Sequence, residues 1–93
     1  MRVQFPISAM EDMRSIKTYI AKDNPKAAIK MINRIRAAVK HLTESPYSGR
    51  IIPETSDPQL REVIVSNYPV MYQITDSNIN IFSVNEDHKL PSI

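Results

Sequence analysis

"YIAKDNPKAAIKMINRIRAAVKHL", Tyr19 to Leu42, decides the fold. Asn24 is a good N-cap and Pro25 a good first helical residue, so a helix begins there. From Pro25 to about Glu44, Ala28, Met31, Ile32, Ile35, Ala38, Val39 and Leu42 fall in one stripe of a helical wheel. Lys26, Lys30 and Lys40 lie opposite the stripe, and Arg34 and Arg36 flank it on either side. Pro46 stops the helix, because the residue before a proline avoids helical backbone. Upstream, Ala9, Met13, Ile16 and Ile20 recur at helical spacing and predict an amphipathic helix over 9–22. Ser8 and Glu11 have the Ser-x-x-Glu spacing of a capping box at its start. The "KDNP" linker is too short for anything but an antiparallel helical hairpin.

Outward from the hairpin the pattern changes to strands. "RVQFPI" alternates, with Val3, Phe5 and Ile7 on one side and Pro6 marking a strand end or sheet edge. After Pro46, "SPYSGRIIPETSDP" reads as a loop, with Gly49, the only glycine, at a turn needing positive φ and Arg50 anchoring the loop to the sheet. "LREVIVS" puts Val63 and Val65 on one face and Ile64 on the other. "PVMYQIT" puts Val70, Tyr72 and Ile74 together, and "INIFSV" is a last apolar run. "SNYP" and "TDSN" are turn-rich, which fits antiparallel hairpins. The expected fold is α+β, in the order β-α-α-β-β-β. An N-terminal strand and a helical hairpin precede a C-terminal antiparallel sheet, and the sheet's second face is left open or covered by a partner.

Residues 1–93 suit one domain. There are no cysteines, which excludes disulfides, thiolate metal sites and a Cys nucleophile. No stretch has the apolar length of a signal peptide or a membrane span, so a cytoplasmic protein is expected. The net charge is only +2, yet the charges are segregated. Between Arg14 and Lys40 stand eight cations against a single acid, Asp23. Such a segment sets up a local field that suits an acidic partner.

The order and spacing of "YIAKDNPKAA", "MINRIRAAVKHL", "ESPYSGRIIPE", "LREVIVSNYPVMYQI" and "INIFSV" resemble the ParE branch of the RelE/ParE superfamily, the toxins of bacterial type II toxin–antitoxin modules. The resemblance covers nearly the whole chain. It implies a ParD-like cognate antitoxin with an acidic tail that wraps the hairpin and sheet, and DNA gyrase as target. RelE-like relatives are instead ribosome-dependent mRNA endonucleases. An antitoxin-binding partner without activity of its own is the third reading.

A metal-free ribonuclease needs a base, a cation for the phosphate and an acid for the leaving oxygen. In the RelE-like pattern the cation stands just before an apolar-apolar-Tyr run. Here that run is Val70–Tyr72, and Pro69 stands before it. A histidine often follows the last strand, where this chain has Glu86, with His88 and Lys89 after it. The residues therefore favour inhibition by binding over catalysis, and no catalytic residue is named. Arg61, His88 and Lys89 are the expected target-binding residues, although Arg61 equally suits a salt bridge or the capping of the adjacent loop. Met13, Ile16, Ile20, Lys26, Lys30, Arg34, Tyr68 and Tyr72 are the expected antitoxin platform, with Tyr72 half-buried. His41 sits near a helix C-terminus, where the dipole suits it. Neither histidine has metal-ligand companions, so no metal and no cofactor are expected. With modest net charge and no helix-turn-helix pattern, the chain alone is not expected to bind DNA; operator DNA is reached through the antitoxin.

Overall fold

The computed structural model describes residues 1–85. β1 (Arg2–Gln4) leads into α1 (Ile7–Ala21) and α2 (Pro25–Leu42). A single 3₁₀ turn, Pro46–Ser48, precedes β2 (Arg50–Ile51), β3 (Leu60–Val65), β4 (Tyr68–Ile74) and β5 (Asn78–Ser83). The five strands form one sheet in the order β1-β5-β4-β3-β2. β1 runs parallel to β5, with Val3 opposite Ile79, and every other pairing is antiparallel. The fold is α+β as expected, with the short β2 added inside a stretch that reads as loop.

The hairpin forms for the anticipated reason. Asn24 accepts a side-chain hydrogen bond from the Ala27 N–H at 3.1 Å, and Pro25 opens α2. The capping box is not used. α1 starts at Ile7, so Ser8 lies inside the helix, and Pro6 takes the N-cap position without a side-chain bond. The Pro6 carbonyl accepts from the Met10 N–H at 3.0 Å and closes the first turn. α2 ends at Leu42, two residues before Glu44, because the Thr43 hydroxyl donates to the Lys40 carbonyl and Pro46 begins the 3₁₀ turn.

One face of the sheet carries the core. Ala9, Met13 and Ile16 of α1 and Ile35, Val39 and Leu42 of α2 pack on Val70, Tyr72, Ile74, Ile79 and Ile81. The opposite face is not simply open, since Ile52, Leu60 and Met71 are buried there with Phe82 against them. Between Met71 and Tyr72 the β4–β5 register slips, which gives a local bulge.

α1 is tied to the end of the sheet by one polar contact. The Asp12 carboxylate accepts a hydrogen bond from the Val84 N–H at 3.0 Å in a part-buried setting. Asp12→Ala leaves that donor without its charged partner and lowers stability by about 1–2 kcal/mol. Urea denaturation reports this as a lower midpoint at unchanged slope. Among the described residues, no helix is long and apolar enough to cross a membrane.

Candidate functional site

Ala9 of α1 and Ala28 of α2 are both buried. The two helices, with Phe5, border a groove of about 540 Å³. Phe5, Met10, Met13, Ile32 and Val39 supply its apolar lining. Arg14, Lys17 and Arg36 form a basic rim, and no acid lines it. Among the described residues none of these three cations enters an ion pair.

Apolar surface continues past the groove. Met10 is 55% exposed, and Ile7 and Ile29, one turn before Met10 and Ile32 on their helices, are 73% and 54% exposed. Scattered exposed apolar residues are ordinary, but a contiguous strip rimmed by one sign of charge marks an interaction site. Apolar lining with a cationic rim suits an amphipathic helix with acidic flanks.

The residues anticipated as the antitoxin platform are divided by the structure. Met13 lines the floor but is 8% exposed, Ile16 is 5% exposed, and Tyr72 is wholly buried. Their apolar atoms are engaged by the sheet and helices of the chain itself, because α1 turns its regular stripe inward. Ile20 is partly buried against the same core. Lys26, Lys30 and Arg34 are exposed on α2, away from the groove lining. Tyr68 lines a separate shallow cleft with Ser15, Ile16, Tyr19 and Asn85. Missed from the sequence were Phe5, Met10, Arg14, Lys17, Ile32, Arg36 and Val39 as members of one site. The usable signal was that Ile7 and Met10 are apolar yet lie off the stripe that already gives α1 its core face.

A second cluster centres on the loop after α2. The Tyr72 hydroxyl donates to the Pro46 carbonyl at 2.7 Å and accepts from the Gly49 N–H at 3.1 Å. Arg61 donates through Nε to the Pro58 carbonyl at 2.8 Å and through Nη1 to the Gly49 carbonyl at 2.9 Å. Its guanidinium carbon stands 4.9 Å from the centre of the Tyr47 ring, within cation–π range. Arg61 thus clamps the adjacent loop, and its partners are carbonyls and a ring where a salt bridge to an acid had been one expectation. Arg50 anchors the same loop through a 3.3 Å ion pair with the buried Glu62. Gly49 has φ −75° and ψ 159°, ordinary extended backbone, so positive φ is not why glycine stands there. It is needed for space, because a Cβ would meet the Tyr72 hydroxyl and the Glu62 carbonyl. His41 is exposed in the last turn of α2. Glu86, His88 and Lys89 lie outside the described residues.

Burial raises the Tyr72 pKa, while the Gly49 N–H and the Arg61 charge pull the other way. A raised folded-state value means the neutral phenol is favoured in the fold. The stability it lends is complete below the unfolded value near 10.0 and is lost as pH rises towards the folded value. Tyr72→Phe removes this part of the alkaline decline. It also leaves the Pro46 and Gly49 groups unpaired, at a cost of about 1–3 kcal/mol near neutral pH. Melting curves of both proteins from about pH 8 to pH 11 show a lower start and a shallower fall for the variant.

The chain was compared with known proteins. The model of the family described as the ParE toxin of the type II toxin–antitoxin system, parDE, matches residues 3–90. Toxin RelE2 of Caulobacter vibrioides is 32% identical over 83 residues, covering 88% of this chain and 90% of that protein. Y4kP of Sinorhizobium fredii is 31% identical over 90 residues, covering 95% of this chain and 90% of that protein. A solved chain from the chromosomal ParDE toxin–antitoxin system of P. aeruginosa matches 91% of this chain and 94% of its own, with a TM-score of 0.73. At 20% identity that last likeness is one of fold.

Proposed function

Because the chain belongs to the ParE toxin family of type II toxin–antitoxin systems, we propose that when free it binds and inhibits DNA gyrase, and that a cognate ParD-like antitoxin silences it by laying an amphipathic helix in the groove between α1 and α2. The observation that carries the antitoxin half is the groove itself, apolar along its floor and cationic along its rim. Apolar side chains of the antitoxin supply the affinity, and its acids meet Arg14, Lys17 and Arg36, which speeds encounter and selects the mate. In this reading target contact rests with His88 and Lys89, while Arg61 holds a loop. Both the target and the antitoxin place the protein in the cytoplasm, and the operator is read by the antitoxin's own DNA-binding part.

The gyrase half follows from the family and from one feature of β4. The position that carries a cation in the ribonuclease branch holds Pro69, paired across the sheet with the exposed Ile64. Neither side chain can neutralise a phosphate or move a proton. This favours inhibition by binding over RNA cleavage. The deciding experiment adds the purified chain to gyrase and relaxed plasmid. Supercoiling falls in proportion to the chain added and returns when the antitoxin tail is supplied. Unchanged supercoiling, with mRNA cleaved in a purified translation system, would overturn the reading in favour of a ribonuclease. No effect in either assay, and no growth arrest on expression without antitoxin, would leave an antitoxin-binding partner without activity.

A further inference from the structure

The helical hairpin carries positive charge beyond the groove rim, along the outer face of α2, where Lys40 stands one turn after the rim residue Arg36. Lys26, Lys30, Arg34 and Lys40 are all exposed on α2, and none lines the groove. Among the described residues none of the four enters an ion pair. α2 contains no acid at all, and its first turn, where the helix dipole favours negative charge, has none to offset Lys26. Lys26, Lys30 and Arg34 follow one another at a spacing of four, so like charges stack along one ridge of about 12 Å and repel. The row adds no ion pair to the fold among the described residues, and neutral residues at these exposed positions would relieve the repulsion. Such a row is explained by a partner that carries the opposite charge.

From this ridge we propose that the outer face of α2 binds the phosphate backbone of duplex DNA without regard to sequence. Asn33, Ala37 and His41 lie among its cations, and the exposed Ile29 stands only at its edge towards the groove. A protein partner needs a buried apolar or aromatic anchor, whereas a phosphate backbone asks only for charge. Lack of an aromatic platform also argues against single strands, whose bases stack on such residues. The expectation that the chain alone does not bind DNA rested partly on the net charge of +2, which averages this face with acids elsewhere in the chain. An antitoxin helix seated in the groove leaves the ridge uncovered, so the free and the neutralised protein both retain it.

The test is fluorescence anisotropy of the purified chain with a short labelled DNA duplex of arbitrary sequence. No gyrase is present, so failure here leaves the gyrase reading untouched. Four phosphate contacts predict a log–log salt slope of about −3 to −4, or roughly a hundredfold weaker binding between 50 and 200 mM salt. The combined variant Lys26→Gln, Lys30→Gln, Arg34→Gln and Lys40→Gln binds more than about tenfold more weakly and flattens the slope. Circular dichroism shows it folded, since all four positions are exposed. The groove-rim variant Arg14→Gln and Lys17→Gln, both on α1, stays within about threefold of the parent. Absence of salt-sensitive duplex binding, equal losses in the two variants, or tighter binding to an RNA duplex or an acidic peptide would each overturn the proposal.

Discussion

Gly49→Ala lowers the stability of the fold by about 2–4 kcal/mol, and the melting temperature by roughly 10–25 °C. The new Cβ would lie 2.5 Å from the Tyr72 hydroxyl oxygen and 2.7 Å from the Glu62 carbonyl oxygen. Neither neighbour can retreat cheaply. The Tyr72 ring is buried in the core and its hydroxyl is bonded to Pro46, while the Glu62 carbonyl is backbone of β3. The loop must therefore move, and it gives up the bonds from the Gly49 N–H to Tyr72 and from Arg61 to the Gly49 carbonyl. Thermal denaturation followed by circular dichroism measures the loss. A drop below about 0.5 kcal/mol, the size of an ordinary surface substitution, would show that the loop relaxes freely and that the clamp is not a unit.

Met10→Glu weakens capture of the antitoxin tail by about a hundredfold, or about 2.7 kcal/mol, with little effect on the fold. Met10 is 55% exposed, so the carboxylate remains in water in the free chain and stability changes by less than about 0.5 kcal/mol. In the complex the same carboxylate replaces apolar lining and faces the acids of the incoming helix. Met10→Lys removes the apolar contact but keeps the sign of the rim, and loses less. The difference between the two variants shrinks as salt rises, which separates charge from packing. Lys30→Glu reverses a charge on the other side of α2 and serves as control, with affinity within about threefold of the parent. Calorimetry with a synthetic tail peptide measures all three. Equal losses for Met10→Glu and Lys30→Glu would show that the antitoxin answers to overall charge and not to the groove.

The parts of this molecule that were legible in the sequence are those fixed by local chemistry. Asn24 and Pro25 start α2 by capping and by a preset φ, and one apolar stripe names the side that packs. Alternation in 60–65 and 68–74 names which residues face the helices. What local chemistry does not encode is which strand lies beside which. Val3 and Phe5 announce a strand, but nothing near them says that its neighbour is β5 or that the pairing is parallel. β2 spans only two residues, too few for any period. Ser8 and Glu11 have the spacing of a cap, but Pro6 sets the helix start two residues earlier. The groove was hidden for a further reason. It is assembled from Phe5, one flank of α1 and one flank of α2, and each contribution alone looks like a stray apolar or basic residue. Arg61 was ambiguous because its partners are carbonyls, which leave no trace in residue identity.

The parallel contact of β1 with β5 also sets the order of events during synthesis. Arg2 pairs with Asn78, so the first strand to leave the ribosome has no neighbour until nearly the whole chain has been made. Until then the inner faces of both helices lack Ile79 and Ile81 of β5, which they cover in the finished fold, and closing so long a loop is slow. Any surface that needs both helices seated on the finished sheet is therefore completed only near the end of translation.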